Sequence, residues 1–235
     1  MSMGILDSLI SRVLSKGVIT LKTQIATHAY QIQFESEDLD EADYIAGNFL
    51  RIHCGMGQVR SYSVWRLDRE RHAVDMAVCT HSNGPGRAWI RNCKPGDELH
   101  FKWHKGKFVI DDSADHYLFV GDLSALGHLY EIQRNLSQGK NKTGIIYSSS
   151  TGDFFPDIDG NKPFDFYDWP VNPVNCIIGK LPSWVVNNNA RGIAYLGGDS
   201  RTCAALFHHL KDDLKWDVRS IRSKPFWNIA KRGLE

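Results

Sequence analysis

The chain has little that would tie it to a metal cluster, a membrane or a polyanion. Its 235 residues include only five cysteines, Cys54, Cys79, Cys93, Cys176 and Cys203, scattered with no C-x-x-C pair. That spacing excludes an iron–sulfur cluster, which needs closely spaced thiolates, and offers no even disulfide framework, so reduced thiols in a cytoplasmic setting are expected. No apolar run reaches the length of a membrane span, and the N-terminus lacks the uninterrupted apolar core of a secretory signal. Net charge is equally scarce: 28 Lys and Arg against 27 Asp and Glu leave +1, with no global pull toward nucleic acid or anionic lipid. His100 and His104 share a strand face and His208 and His209 are adjacent, but no carboxylate or thiol at ligand spacing accompanies them. No bound metal is therefore expected. Repeats and low-complexity tracts are absent as well.

What is present divides in two. The length fits two domains of roughly 110 to 120 residues, and the pattern changes at the polar break Asp111-Asp112-Ser113-Ala114-Asp115, giving expected domains 1–112 and 113–235. Ile5, Leu6, Leu9, Ile10, Val13 and Leu14 recur at helical spacing, which predicts an amphipathic helix over 3–15 docked on its own domain. Short alternating runs follow at 18–25, 28–35, 49–54, 59–67, 72–80, 98–103 and 107–110, the pattern of a small antiparallel β-barrel. After the break, strands at 116–120, 143–147 and 192–196 alternate with helices at 124–136 and 200–214, which predicts an α/β domain with a parallel sheet. The stretch 151–174, rich in Asp, Pro, Gly and aromatics, reads as a long loop around one edge strand.

Two segments carry chemistry. Arg60-Ser61-Tyr62-Ser63 lies in an alternating run, so Arg60 and Tyr62 share one strand face and offer a cation and an aromatic plane side by side. About twenty residues on, Asn83-Gly84-Pro85-Gly86-Arg87-Ala88-Trp89 reads as a glycine turn opening a helix, whose free N–H groups and positive dipole end suit a pyrophosphate. Stacking for a flat ring, a donor fork for a phosphate linker and a hydroxyl at Ser63 together point to a flavin dinucleotide.

These motifs resemble those of the siderophore-interacting proteins, flavin-dependent ferric-siderophore reductases of the ferredoxin–NADP reductase superfamily. The R-x-Y-[ST] motif is matched by Arg60, Tyr62 and Ser63, H-x-x-G-P-x-x-x-W by His81, Gly84, Pro85 and Trp89, and the P-G-D turn by Pro95-Gly96-Asp97. Further on, Gly121-Asp122-Leu123-Ser124-Ala125-Leu126 is similar to the family's G-D-E-T-A-L, Gly197-Gly198-Asp199 to its A-G-E turn, and Phe226-Trp227 to the Y-W of its G-Y-W-R. The chain departs from the pattern at Leu123, Gly127, Asp199 and Asn228, so its flavin half keeps closer to the family than its nicotinamide half.

The resemblance implies a ferredoxin-reductase-like fold, with FAD held by Arg60, Ser61, Tyr62, Ser63, Cys79, His81, Gly84, Pro85, Gly86, Arg87, Ala88 and Trp89. It implies NADH or NADPH at Gly121, Asp122, Ser124, Ala125, Gly198 and Asp199. No acid–base pair is needed; Tyr62 and Ser63 position the flavin. Near the end of the chain, Arg219, Arg222, Lys224, Trp227, Lys231 and Arg232 form a cationic and aromatic set suited to a bulky anionic ferric siderophore, with a solvated tail as the plainer alternative. The expected activity is electron transfer from NAD(P)H, or from a reduced ferredoxin, through FAD to chelated ferric iron, by a monomer. An electron-transfer module for another acceptor, and a flavin- or siderophore-binding protein without turnover, are the alternatives.

Overall fold

The computed structural model describes residues 14–39, 43–55, 58–80, 85–188 and 190–229. The expected helix at 3–15 therefore falls outside the described residues, save Leu14 and the start of the first strand. The chain splits into two compact units, the first ending at Gly106 and the second beginning at Lys107.

The first unit is one seven-stranded antiparallel sheet. Its strands are β1 (Ser15–Ala26), β2 (Ala29–Glu35), β3 (Phe49–His53), β4 (Val59–Ser63), β5 (Arg66–Asp68), β6 (Ala73–Cys79) and β7 (Glu98–His104), in the order β4-β3-β7-β1-β2-β6-β5. The two edge strands, β4 and β5, are consecutive in the chain. Only Val64 and Trp65 separate them, a reach of at most about 11 Å between Ser63 and Arg66, so the sheet curls until its edges meet as a barrel. Trp65 completes the corner by donating its backbone N–H to Asp75 O at 2.8 Å. The expected single strand at 59–67 is thus broken into two by this corner, because one straight strand could not serve both edges. Inward residues Ile19, Ile32, Phe34, Leu50, Ile52, Val74, Met76, Val78, Leu99 and Phe101 make the core.

The second unit is a five-stranded sheet, β8 (His116–Asp122), β9 (Asn141–Ser148), β10 (Asp165–Asp168), β11 (Gly192–Asp199) and β12 (Ile221–Trp227), in the order β10-β9-β8-β11-β12. Every pairing in it is parallel. Helix α2 (Leu123–Asn135) connects β8 to β9, and α5 (Ser200–His208) leads from β11 toward β12; α1 (Pro85–Asn92) belongs to the first unit, and α3 (Val174–Ile178) and α4 (Ser183–Val186) are short turns before β11. The strand order reverses between β8 and β11, where open α/β sheets bind ligands at their carboxyl ends. As read from the sequence, 151–174 holds one edge strand, β10, in otherwise irregular chain.

Two expectations are corrected here. Residues 107–110 form no strand, since their backbone is satisfied by side chains of the second unit instead of a ladder: His128 Nε2 donates to Phe108 O at 2.8 Å and Tyr195 Oη donates to Val109 O at 3.1 Å. The segment 221–227 is not a solvated tail. It is β12, paired to β11 from Ala194↔Ile221 to Asp199↔Trp227.

Candidate functional site

Arg60 and Tyr62 lie opposite Ile52 and Leu50 in the β3–β4 ladder, while Ser61 and Ser63 lie opposite Arg51 and Phe49. Cross-strand partners share a face. Since Leu50 and Ile52 are fully buried, Arg60 and Tyr62 are on the inner face of the sheet, yet each stays half-buried because β4 is at the edge. The predicted shared face is therefore observed. Ser63 falls on the other one.

Helix α1 covers this edge. The Tyr62 and Trp89 rings approach to 5.5 Å between centroids at 32°, and Trp89 packs on the barrel core. Gly86 sits in the first turn, where a Cβ would come 2.5 Å from Tyr62 Oη and 4.0 Å from Arg60 Cγ. The glycine thus lets the backbone meet the Arg60 and Tyr62 side chains. Pro85 at the first helical position needs no N–H partner and has its φ preset. The far end of α1 is tied down by a residue the sequence reading missed: Lys22 of β1 donates to Cys93 O at 2.8 Å and to Ile90 O, a cation on the negative end of the helix. No local pattern marks Lys22, because its partners lie about seventy residues away. Arg87 is half-buried, Ala88 exposed, and Cys79 closes β6 half-buried. His81 and Gly84 lie outside the described residues, and nothing is described of the Pro85 side chain.

This geometry predicts a specific effect. Gly86→Ala drives a methyl group into the Tyr62 hydroxyl, and overpacking of this kind costs about 1–3 kcal/mol. FAD affinity should fall about tenfold or more, and the double variant with Tyr62→Phe should recover part of it because the obstructing oxygen is gone. Fluorescence titration of apoprotein with FAD reads both.

In the second unit, Gly121, Asp122, Ser124, Ala125, Gly198 and Asp199 are brought together at the carboxyl edge. Asp122 Oδ1 accepts the Ser124 N–H at 2.9 Å and the Ser124 hydroxyl at 2.5 Å, capping α2; its Oδ2 accepts the Asp199 N–H at 2.8 Å and Trp227 Nε1–H at 2.8 Å. Asp199 caps α5 through Arg201 N at 3.0 Å and holds the Arg201 guanidinium at 2.6 Å. The glycines are consumed by close packing. A Cβ at Gly121 would lie 2.7 Å from Leu129 Cδ1, one at Gly197 2.8 Å from Ala125 Cβ, and one at Gly198, whose φ is +113°, would collide with the Asp122 carboxylate. Both carboxylates are buried structural caps. Accessible polar groups at this edge include Arg201, which was not picked out from the sequence, and Asn228, noted there only as a departure from the family pattern and hydrogen-bonded to Ser200 at 2.7 Å. The only sequence signal for them is their position just after the glycine turn and just after the tryptophan.

Of the described C-terminal cations, Arg222 and Lys224 share one face of β12, and Arg219 precedes the strand. Arg219 is exposed on the turn before β12, whereas Trp227 ends that strand, roughly 20 Å further along it. Arg222 is paired with Asp111 at 2.7 Å, which ties the connecting segment to β12. Lys224 lies with its ammonium 5.3 Å from the Phe226 ring centroid, and burial pushes its pKa down to about 8. Lys231 and Arg232 lie outside the described residues. Among the described residues no three His, Cys, Asp or Glu side chains cluster as a metal site, and no helix is long and apolar enough to cross a membrane.

Comparison with known proteins agrees with this layout. None of the curated proteins matches the chain. The chain is similar to the siderophore-interacting protein SipS of Aeromonas hydrophila, at 18% identity and TM-score 0.75 over 94% of each chain. It is similar to the siderophore-interacting protein of Acinetobacter baumannii, at 15% identity and TM-score 0.78 over 92% of this chain and 90% of that one. It also superposes on phthalate dioxygenase reductase, at 16% identity and TM-score 0.71 over 92% of this chain and 68% of that one. At these identities the likeness is one of fold, the two-domain ferredoxin-reductase-like architecture. Residues 55–107, which contain Arg60, Tyr62, Gly86 and Trp89, match the siderophore-interacting FAD-binding domain, so that the resemblance read from the motifs holds and FAD is the cofactor of this barrel.

Proposed function

We propose that the protein is a reductase that takes electrons from a nicotinamide dinucleotide through FAD and delivers them to ferric iron in a siderophore or similar chelate. The observation that carries the reading is the joining of Arg60, Tyr62 and Gly86 at one barrel edge, inside the segment that matches the siderophore-interacting FAD-binding domain. Their chemistry fits the cofactor: the Arg60 guanidinium and the first turn of α1 suit its phosphates, and the Tyr62 ring suits its flat tricycle. FAD supplies, when bound, a hydride acceptor that can return electrons one at a time. The residues position and charge-balance; none is required as a general acid.

Support for the electron source comes from the strand order of the second unit and its glycine turn at the switch point, and from phthalate dioxygenase reductase, described as moving electrons from pyridine nucleotides to a 2Fe–2S centre. This chain, with no paired cysteines for such a centre, would pass them to an external acceptor. Oxygen chelators hold ferric iron more tightly than ferrous, so reduction alone loosens the metal. Of the proposed substrate cations, Arg219, Lys231 and Arg232 remain candidates for an anionic chelate. Arg222 and Lys224 are poor targets for charge reversal, the first because it breaks the Asp111 pair and the second because it buries a carboxylate.

The reading is tested in two steps. Arg60→Ala should weaken FAD binding by about 2–3 kcal/mol, the value of a charge-assisted contact left unmade, and a wild-type protein that binds no FAD at all would refute the flavin assignment. Anaerobic mixing with NADH or NADPH should then bleach the flavin absorbance, and a panel of ferric chelates should restore it. Slower reoxidation of Lys231→Glu/Arg232→Glu by anionic but not neutral chelates would place the acceptor at the C-terminus.

A further inference from the structure

The carboxyl end of β9 neighbours the glycine turn of β8, and its chemistry separates the two nicotinamide dinucleotides. The sheet order places β8 as the first strand of a doubly wound nucleotide fold and β9 as the second, and the second strand's end is where a dinucleotide's adenosine ribose is recognised. In this protein that end is built from hydroxyls and carboxylates. Ser148, the last residue of β9, donates its hydroxyl to Asp153 Oδ2 at 2.9 Å, and the 3-10 turn Thr151–Asp153 folds the carboxylate back onto the strand, with Asp153 N donating to Ser150 O at 3.1 Å. Asp153 is only 6% exposed, so its charge is fixed in place and weakly screened. On the neighbouring strand, Asp168 ends β10 in register with Ser148 and is exposed. No Lys or Arg occurs between Lys142 and Lys162. The cations that come near this end from elsewhere are engaged: Lys180 rests over the Tyr167 ring at 5.8 Å, and Arg201 is paired with the Asp199 carboxylate at 2.6 Å.

A ribose diol is well served by a carboxylate and hydroxyls, whereas a 2′-phosphate adds about two negative charges that need a guanidinium or ammonium partner. Resting on the nicotinamide reading above, we infer that the end of β9 selects NADH over NADPH, with Asp153, held by Ser148, as the specificity-determining residue. The selection is electrostatic and works against the phosphate.

The test separates this inference from the reading beneath it by measuring fragment binding to the full-length FAD-loaded protein. Calorimetry with ADP-ribose and 2′-phospho-ADP-ribose should give about 30-fold tighter binding of the unphosphorylated fragment, the scale of one unfavourable charge pair in partly buried surroundings. Asp153→Asn keeps an acceptor for Ser148 and removes the charge, so the ratio should shrink several-fold. Ser149→Arg, at an exposed position beside the strand end, should shrink or invert it by supplying the missing cation. Equal or tighter binding of the phosphorylated fragment to wild type, or a ratio unmoved by both variants, overturns the inference while the nicotinamide reading stands. If neither fragment binds, that reading falls and this inference with it.

Discussion

Asp122→Ala should destabilise the protein by about 3–5 kcal/mol, as read by urea unfolding, and should do so in the second unit. The carboxylate accepts hydrogen bonds from Ser124 N and Oγ, Asp199 N and Trp227 Nε1, and is itself 7% exposed. Removing it strands buried donors at about 1–3 kcal/mol each, partly offset by rearrangement of the Ser124 hydroxyl and by water entering the space. Asp122→Asn should be nearly as harmful, because an amide NH₂ turned toward Asp199 N–H or Trp227 Nε1–H opposes donor to donor. The Gly198 contact gives an internal control. Gly198→Ala alone suffers both a collision with the Asp122 carboxylate and a φ of +113° that side chains rarely adopt; combined with Asp122→Ala the collision disappears and the strain stays. The two losses should therefore be less than additive. Additive losses would mean that Asp122 and Gly198 do not share this contact.

The same node explains what could be read in advance and what could not. Strand parity placed Arg60 beside Tyr62 from sequence alone, since a period of two is local and any extended strand obeys it. Turn chemistry placed Gly86 at the opening of α1 for the same reason. What parity could not give was the inner face of β4, which depends on pairing with Leu50 and Ile52 of a strand whose register is fixed only by the closed sheet. Asp122 and Asp199 each stand beside a glycine in the sequence, but their mutual hydrogen bond joins residues 77 apart, and only the strand order makes them neighbours. The C-terminal segment misled for a further reason. Arg219, Arg222 and Lys224 look like a solvated cationic run, yet at strand spacing they distribute themselves between an exposed turn, an ion pair with Asp111 and a half-buried aromatic site. Charge in a sequence marks composition, and burial of a long side chain's stem is decided by what packs above it. Residues 107–110 failed similarly: an apolar run ending a barrel pattern looks like its last strand, and side chains of α2 and β11 claim its carbonyls instead.

Lowering the pH from neutral to about 3 should cost about 3–5 kcal/mol of stability through His128 alone. Its ring is 1% exposed, and desolvation, helped by the Lys224 charge, depresses its pKa from 6.5 to about 3 despite the hydrogen bond to Phe108 O. The sign follows from proton counting. Above pH 6.5 the ring is neutral in both folded and unfolded chains and contributes no pH dependence; between 6.5 and 3 only the unfolded chain takes up the proton, so stability falls as pH falls. His128→Gln keeps a donor for Phe108 O and removes the titration, and its urea midpoint should decline much less over that window. Lys224 acts at the other end: with a folded pKa near 8 against 10.5 when unfolded, the unfolded chain holds the extra proton between those values, and stability should rise with pH across them. Lys224→Met, of similar length and without the charge, should remove that alkaline rise and add about 1–2 kcal/mol at neutral pH, since a partly buried cation gives way to an apolar chain of like volume. The two variants should also communicate. Taking away the Lys224 charge relieves His128 of one of its two opposing causes, so the acid limb of Lys224→Met should begin at a higher folded pKa and cost less in total. An acid limb of unchanged depth in His128→Gln would assign the acid sensitivity to other groups and leave the Phe108 contact as packing only.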